Sequence, residues 1–452
     1  PQPMKARFRK ETGLLLFEPG MTDLARIERF RREFPSAGFF QDKEWVLSPR
    51  PFPLPSETVA LIRRLGPVLR RFQRACNRLY LEAAAGGELA WLAALLDLGK
   101  PESVVALGRE KAWADDLPSV IRPDLMLTED GVKIAELDSL PGGMGLTAWL
   151  NQTFALLGDE VIGGTEGMVE GFRKAFPEEQ ILVSRESADY EPEMRWLAER
   201  LGDGRQVLNP WSLDLEALEG RAVYRFFELF DLDHVEQSGP LLRLASAGRV
   251  RLTPPVKAYM EEKLWLALFW VPSLSAHWER NLSAQDMDVL RRCLPEGWVV
   301  DPAPMPVSGE IRGLGVAGWD EVAEFGRKER ELVVKVSGFS ELGWGSRSVK
   351  IGHDLSQAEW REALQKALEG HAAHPCLMQR FHAARVVEHP AWDEQAGVSR
   401  LVRSRARLCP YYFAEGSGEE VTLGGILATV CPEDKKILHG MRDAMMLACV
   451  EG

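Results

Sequence analysis

Two short runs of this sequence, Arg122-Pro123-Asp124 and Glu136-Leu137-Asp138-Ser139-Leu140-Pro141-Gly142-Gly143, gather three carboxylates and one guanidinium. Between them lie two apolar segments, 125–127 and 132–137, joined by Thr128, Glu129, Asp130 and Gly131. An acidic, glycine-closed turn between two such segments reads as a β-hairpin over residues 120–138. Residues two apart on a strand share a face, so Glu136 and Asp138 project together and the hairpin carries Asp124 across from them. Carboxylates so close repel unless a cation neutralises them. A hard divalent ion such as Mg²⁺, held by carboxylates and substrate phosphates, suits that pattern. The plain alternative is a solvated hairpin edge, against which stand the apolar flanks and the Pro-Gly-Gly exit.

A second run, Val333-Val334-Lys335-Val336-Ser337-Gly338, continues through Gly343-Trp344-Gly345-Ser346-Arg347-Ser348-Val349-Lys350. A lysine leaving an apolar strand for a Gly/Ser loop can set a point charge on a phosphate while the loop closes over it. A glycine-rich hairpin with a surface lysine is the other reading. No Gly-Lys-Ser/Thr follows the glycines, so this is not a Walker A loop. Gly313-Leu314-Gly315-Val316-Ala317-Gly318 fits a dinucleotide fingerprint, but residues 308–312 before it make a poor strand, so it reads as a loop. Neither a G-x-S-x-G elbow nor an H-E-x-x-H helix occurs. His371, His374, His382 and His389 read as a helix end and a loop, and His439 as an anion contact or a helix cap.

The elements that must position these residues alternate in type. Apolar residues at three- and four-residue intervals predict helices over 56–81 and 86–98, making residues 1–118 an N-terminal helical region. A helix from 147 to 157 follows the hairpin, and residues 119–160 form one unit with it. Strand 181–184, helix 191–201 and a buried segment 222–230 imply an α/β layer over 180–250. Helices are expected at 213–218, 255–270, 286–294 and 357–368, and strands at 331–336, 348–351, 376–380, 400–413 and 421–430. The last third thus reads as a mixed α+β unit, residues 251–452 as the last domain region, and the whole as an α/β and α+β multidomain chain.

Composition bounds the partners. The chain has 452 residues, 45% hydrophobic and 27% charged, enough for two or three domains. With 55 Lys and Arg against 67 Asp and Glu, the net charge of -12 gives no footprint for nucleic acid. No apolar run approaches 20 residues, so no membrane span is expected. Six cysteines stand singly, which suits core thiols in a reducing compartment better than disulfides or zinc. Lys5, Arg7, Arg9 and Lys10 have no apolar stretch behind them of signal-peptide length, and the sequons at Asn151 and Asn281 read as chance matches, so a cytoplasmic location is expected. A homodimer is expected on general grounds alone.

The hairpin resembles the metal-binding strands of the ATP-grasp superfamily, as arranged in D-alanine:D-alanine ligase, where Arg-x-Asp is followed by Glu-x-Asn, a small polar residue, a proline and a glycine. Asp138 stands here for the asparagine. Val334-Lys335-Val336 and the loop to Gly345 look like the family's phosphate lysine and glycine-rich loop, and Cys376-Leu377-Met378-Gln379-Arg380-Phe381 like the strand into its adenine hinge, with Gln379 where an acidic residue is common. Glu262-Lys263, within the expected helix, resembles the family's earlier Asp-Lys pair, whose lysine also reaches the nucleotide. The hairpin precedes both lysines, an order similar to circularly permuted ATP-grasp proteins related to glutathionylspermidine synthetase.

That resemblance implies an ATP-grasp fold in permuted order and a ligase that forms a carbon–nitrogen bond through an acyl phosphate, using ATP and Mg²⁺ on a small-molecule carboxylate and amine, an amino acid or short peptide. It implies Asp124, Glu136 and Asp138 as metal ligands, Lys263 and Lys335 on the phosphates, and Arg122 at the acyl phosphate. Gly338, Gly343, Gly345 and Ser346 would close over ATP, with Gln379, Arg380 and Phe381 at the base. Arg385, Arg405 and Arg407 are equivalent candidates for a further basic contact, and Arg185, Trp196, Arg225 and Trp211 for the acceptor pocket. The alternatives are a small-molecule kinase of the same fold and a non-catalytic nucleotide-binding subunit.

Overall fold

The computed structural model describes residues 21–34, 45–303, 309–343, 345, 347–416, 418–440 and 443–452. The basic run at Lys5, Arg7, Arg9 and Lys10, the start of the segment at Ser308, and Ser346 lie outside the described residues. The strands in chain order are β1 (Phe52–Leu54), β2 (Val120–Thr128), β3 (Gly131–Asp138), β4 (Gln180–Val183), β5 (Val207–Leu208), β6 (Ala222–Phe226) and β7 (Arg251–Thr253). They continue as β8 (Gly297–Val300), β9 (Leu332–Val336), β10 (Lys350–Ile351), β11 (Cys376–Arg380), β12 (Val386–Asp393), β13 (Val398–Ala414), β14 (Val421–Pro432) and β15 (Met445–Glu451).

Among the described residues these strands form three sheets. The largest runs β1-β15-β14-β13-β2-β3, with β12 against the remaining half of β13. The 17 residues of β13 are shared, because Val398 to Arg405 pair with β12 and Arg407 to Phe413 with β2. The second sheet, β10-β9-β11-β8, is antiparallel. The third, β5-β4-β6-β7, is parallel and forms the α/β layer that the alternation predicts. This is a mixed α/β multidomain chain. Among the described residues no helix is long and apolar enough to cross a membrane.

The helix Ser56–Ala84 buries Val59, Ile62, Leu65, Leu69, Phe72, Cys76, Leu79 and Ala83, one stripe at three- and four-residue steps. The stripe covers the largest sheet, and at Gly66 a Cβ would stand 2.6 Å from the Tyr412 ring of β13, so only glycine permits the approach. Arg70 sits buried within the stripe because its guanidinium donates to the carbonyls of Pro118, Gly416 and Gly418. A separate core lies under the second sheet, where Val334, Val336, Cys376 and Met378 face Trp360 and Leu364 of the helix Gln357–Glu369. The opposite face of that sheet, bearing Lys335, Leu377 and Gln379, is turned toward the hairpin.

The helix expected over 255–270 is not continuous. A 3-10 turn, Ala258–Glu261, gives way to an extended Glu262, and only Leu264–Leu268 is α-helical, with Lys263 at its N-cap. Side chains of this stretch are held by distant elements: Glu261 by Arg225, and Glu262 by Lys100 and Ser337. Those bonds override the local apolar spacing. The strand in 222–230 ends at Phe226, and β1, β5, β7, β8, β12 and β15 have no counterpart among the expected strands. The segment at Gly313 is a turn, as expected, closed by an Ile311–Val316 bridge. The six cysteines are buried and free, and His389 is a buried ring held by Ser48 and the Arg50 carbonyl.

Candidate active site

The hairpin places Arg122 opposite Asp138 and Asp124 opposite Glu136, so all four project from one face. Register then slips between Asp124 and Leu125, leaving Ala135 without a cross-strand partner. The freed Ala135 carbonyl accepts a hydrogen bond from Lys335 Nζ at 2.5 Å, which brings β9 onto the hairpin. Lys263, from the broken helix, lies 2.8 Å from Glu136 Oε1 and donates to the carbonyls of Ser337 (3.2 Å) and Gly343 (2.9 Å). Three stretches of chain distant in sequence thus meet at one point.

The carboxylates are neutralised by cations of the chain itself. Arg122 Nη2 lies 3.0 Å from Asp138 and 3.2 Å from Asp124, and Arg407 Nη1 donates to Asp124 at 2.8 Å. The Cys409 thiol donates to the same carboxylate at 3.3 Å. Burial alone would push the Asp124 carboxyl up, but Arg122 and Arg407 together hold it below the usual range. For Asp138 burial prevails over Arg122, and its carboxyl is pushed up. Burial pushes the Lys335 ammonium down to about 8, Glu136 opposing it, whereas Glu136 and Glu228 overcome burial to keep Lys263 firmly charged.

Among the described residues no group of three or more His, Cys, Asp or Glu side chains is arranged to hold a metal ion. Mg²⁺, however, commonly takes one or two carboxylates and completes its octahedron from phosphates and water. Glu136, its side chain 33% exposed, and Asp138 line one small pocket and fit that partial set. Asp124 also lines the main cleft, and a cation at any of the three carboxylates would share it with a basic side chain: Arg407 at Asp124, Lys263 at Glu136 and Arg122 at Asp138.

That cleft runs between the hairpin and the second sheet. Lys263, Lys335 and Arg407 give it a cationic part, while Met126, Val333, Ile351, Phe381 and Leu438 give it apolar walls. Gln379 lines it too, and so does Arg380, whose guanidinium is engaged by the Gly313 carbonyl and Glu296. Of the loop glycines, Gly343 lines the cleft; at Gly338 a Cβ would stand 2.7 Å from the Glu261 carbonyl oxygen, and Gly345 has open space around it. Of the three equivalent arginines, Arg407 reaches the site. Arg405 donates instead to the carbonyls of Glu433 and Ala384, and the Arg385 amide pairs with Leu127.

The smaller pocket beside it is lined by Glu136, Asp138, Glu228, Glu261 and Lys263. Arg225 does not enter it as an acceptor-pocket residue. It is buried, with donors on the carbonyls of Pro254, Phe227 and Pro255 and on Glu261, and so clips the α/β layer to the lysine segment. Arg185 instead lies over the exposed Trp211 ring at 5.4 Å. The Pro-Gly-Gly exit is explained by its neighbours: a Cβ at Gly142 would stand 2.2 Å from Tyr190, and Gly143 has φ +85°. Glu193 accepts the N–H groups of Gly143 (2.7 Å) and Leu146 (3.1 Å), capping the helix Met144–Leu156 that leaves the hairpin.

No protein-family model matches the chain, and no curated protein matches it. Among solved structures 45 chains match. A glutathione synthetase-like effector from Globodera pallida, in its apo form, superposes on 94% of this chain and 96% of its own, with a TM-score of 0.52 at 13% identity. A protein assigned as a candidate gamma-glutamylcysteine synthetase from Methylobacillus flagellatus covers 79% of this chain and 86% of its own, with a TM-score of 0.39 at 12% identity. The first likeness is one of overall fold.

Proposed function

We propose that this chain is an ATP-dependent carboxylate–amine ligase of permuted ATP-grasp type, acting through an acyl phosphate on an amino acid or small peptide. The observation that carries the proposal is the meeting of Asp124 and Glu136 with Lys263 and Lys335 at one cleft, with Arg122 and Asp138 paired beside them. Phosphoryl transfer asks a protein mainly for positioning and charge neutralisation, and these residue types supply both. Lys263 and Lys335 bind the phosphates, Glu136 and Asp138 hold Mg²⁺, and Arg122 with Arg407 stabilises the activated carboxylate. Bound Mg²⁺ would neutralise charge on the transferring phosphoryl group. The glutathione synthetase-like name of a fold neighbour supports a peptide-like substrate. The chain order, in which β13 returns to complete the sheet of a hairpin that precedes both lysines, supports the permuted arrangement.

The test is calorimetric titration with a non-hydrolysable ATP analogue, with and without Mg²⁺, on the wild type and on the Asp124→Asn, Glu136→Gln double variant. Magnesium-dependent binding that weakens in the double variant is expected. Absence of binding in both conditions would remove the nucleotide reading. Phosphate release that depends on an added amine separates the ligase from a kinase.

A further inference from the structure

Gln379 is 3% exposed, lines the cleft, and leaves its Nε2 buried without a hydrogen-bond partner among the described residues. An amide in that position destabilises the ligand-free chain unless something entering the cleft completes it. Its surroundings keep the side chain in place. Gln379 pairs with Val333 on one side and Gly297 on the other, and a Cβ at Gly297 would stand 3.3 Å from Gln379 Cγ. Lys335 pairs with Leu377, so Lys335 and Gln379 share a sheet face two positions apart, roughly 7 Å along the strands. The cleft therefore offers Lys263, Lys335 and Arg407 together with apolar side chains and, one short step along the sheet from Lys335, the unpaired Gln379 amide, while Arg380, His382 and Lys436 also line it. An anionic ligand with a flat heterocycle bearing a hydrogen-bonding edge is complementary to that layout.

We propose that Gln379 reads the edge of the nucleotide base and makes the cleft accept both 6-amino and 6-oxo purine nucleoside triphosphates. This rests on the nucleotide reading above. A carboxylate can only accept at such a position and would favour a 6-amino base. An amide presents an acceptor and donors on one plane, and half a turn about its terminal bond exchanges them. With no group among the described residues holding Gln379 Nε2, the ligand sets the orientation of the amide.

The experiment titrates the full chain with the Mg²⁺ complexes of non-hydrolysable ATP and GTP analogues, comparing wild type, Gln379→Glu and Gln379→Leu. Wild type should bind the two with dissociation constants within about tenfold, and Gln379→Glu should shift the ratio toward the ATP analogue by about tenfold or more. Gln379→Leu, which removes the unpaired amide, should raise the ligand-free Tm by about 1–3 °C while weakening both analogues. A greater than tenfold preference in wild type, an unmoved ratio in Gln379→Glu, or undiminished binding by Gln379→Leu overturns the assignment while ATP-analogue binding leaves the nucleotide reading standing. Failure of wild type to bind either analogue overturns both.

Discussion

The Lys100–Glu262 pair offers the most direct test of how this site is held. Both side chains are buried, 1% and 0% exposed, and the ammonium lies against the carboxylate. Glu262 also accepts from the Ser337 hydroxyl, which in turn accepts the Leu264 N–H at 2.9 Å, and Lys100 sits 5.7 Å from the Phe339 ring. Breaking such a pair from one side strands a charge, which costs about 3–5 kcal/mol, whereas removing both charges together releases two desolvation penalties. Glu262→Gln and Lys100→Met should therefore each destabilise by about 3–5 kcal/mol. Lys100→Met, Glu262→Met should lie within about 2 kcal/mol of wild type. Equilibrium urea unfolding of the four proteins, read as a double-mutant cycle, gives the coupling directly. Single variants that each cost under about 1 kcal/mol, or a double variant that costs their sum, would refute the claim that this buried pair anchors the lysine segment to the loop.

Two further outcomes concern the cleft. Between about pH 8 and 10.5 the unfolded chain holds a proton on Lys335 that the folded chain has released. Stability should then rise with pH across that window by about 3 kcal/mol, a rise that Lys335→Met abolishes. Affinity for the ATP analogue should move the other way, about tenfold weaker at pH 9 than at pH 7, and stay level in Lys335→Arg; parallel slopes in the two proteins would disprove the role. Arg407→Ala leaves Asp124 with Arg122 as its guanidinium partner, so turnover should fall about 10²–10³-fold, with little recovery in Arg407→Lys, and unchanged turnover would exclude Arg407 from the chemistry.

The hairpin was legible because its signals are local: alternation, an acidic turn closed by Gly131, and carboxylates two residues apart. Its register slip was not, because nothing in the run from Asp124 to Glu136 marks Ala135 as the unpaired residue; that follows from how β2 and β3 sit on β13. For the same reason Arg385, Arg405 and Arg407 were indistinguishable until β13 acquired neighbours on both edges. Alternation of Arg407, Cys409 and Tyr411 along one strand was a usable signal for a shared face, since the first two contact Asp124 and the third donates to the Gly142 carbonyl. Residues 255–270 misled because apolar spacing reports burial rather than helix once Glu261 and Glu262 are tied to remote partners. Lys100 carried no signal at all, and only the fold pairs it.

The shared strand β13 also sets the order in which this molecule can be assembled. The hairpin is made early in synthesis, yet Arg407, the partner of Asp124, follows it by 283 residues, and the sheet is complete only when β15 has paired with both β14 and β1. Until then the nascent chain exposes the inner edge of β2, an unpaired row of backbone groups beside an apolar face. Contacts of such sequence separation fold slowly and leave sticky intermediates, so recombinant yield of this chain should depend on chaperone supply and on slow translation more than its native-state packing would suggest.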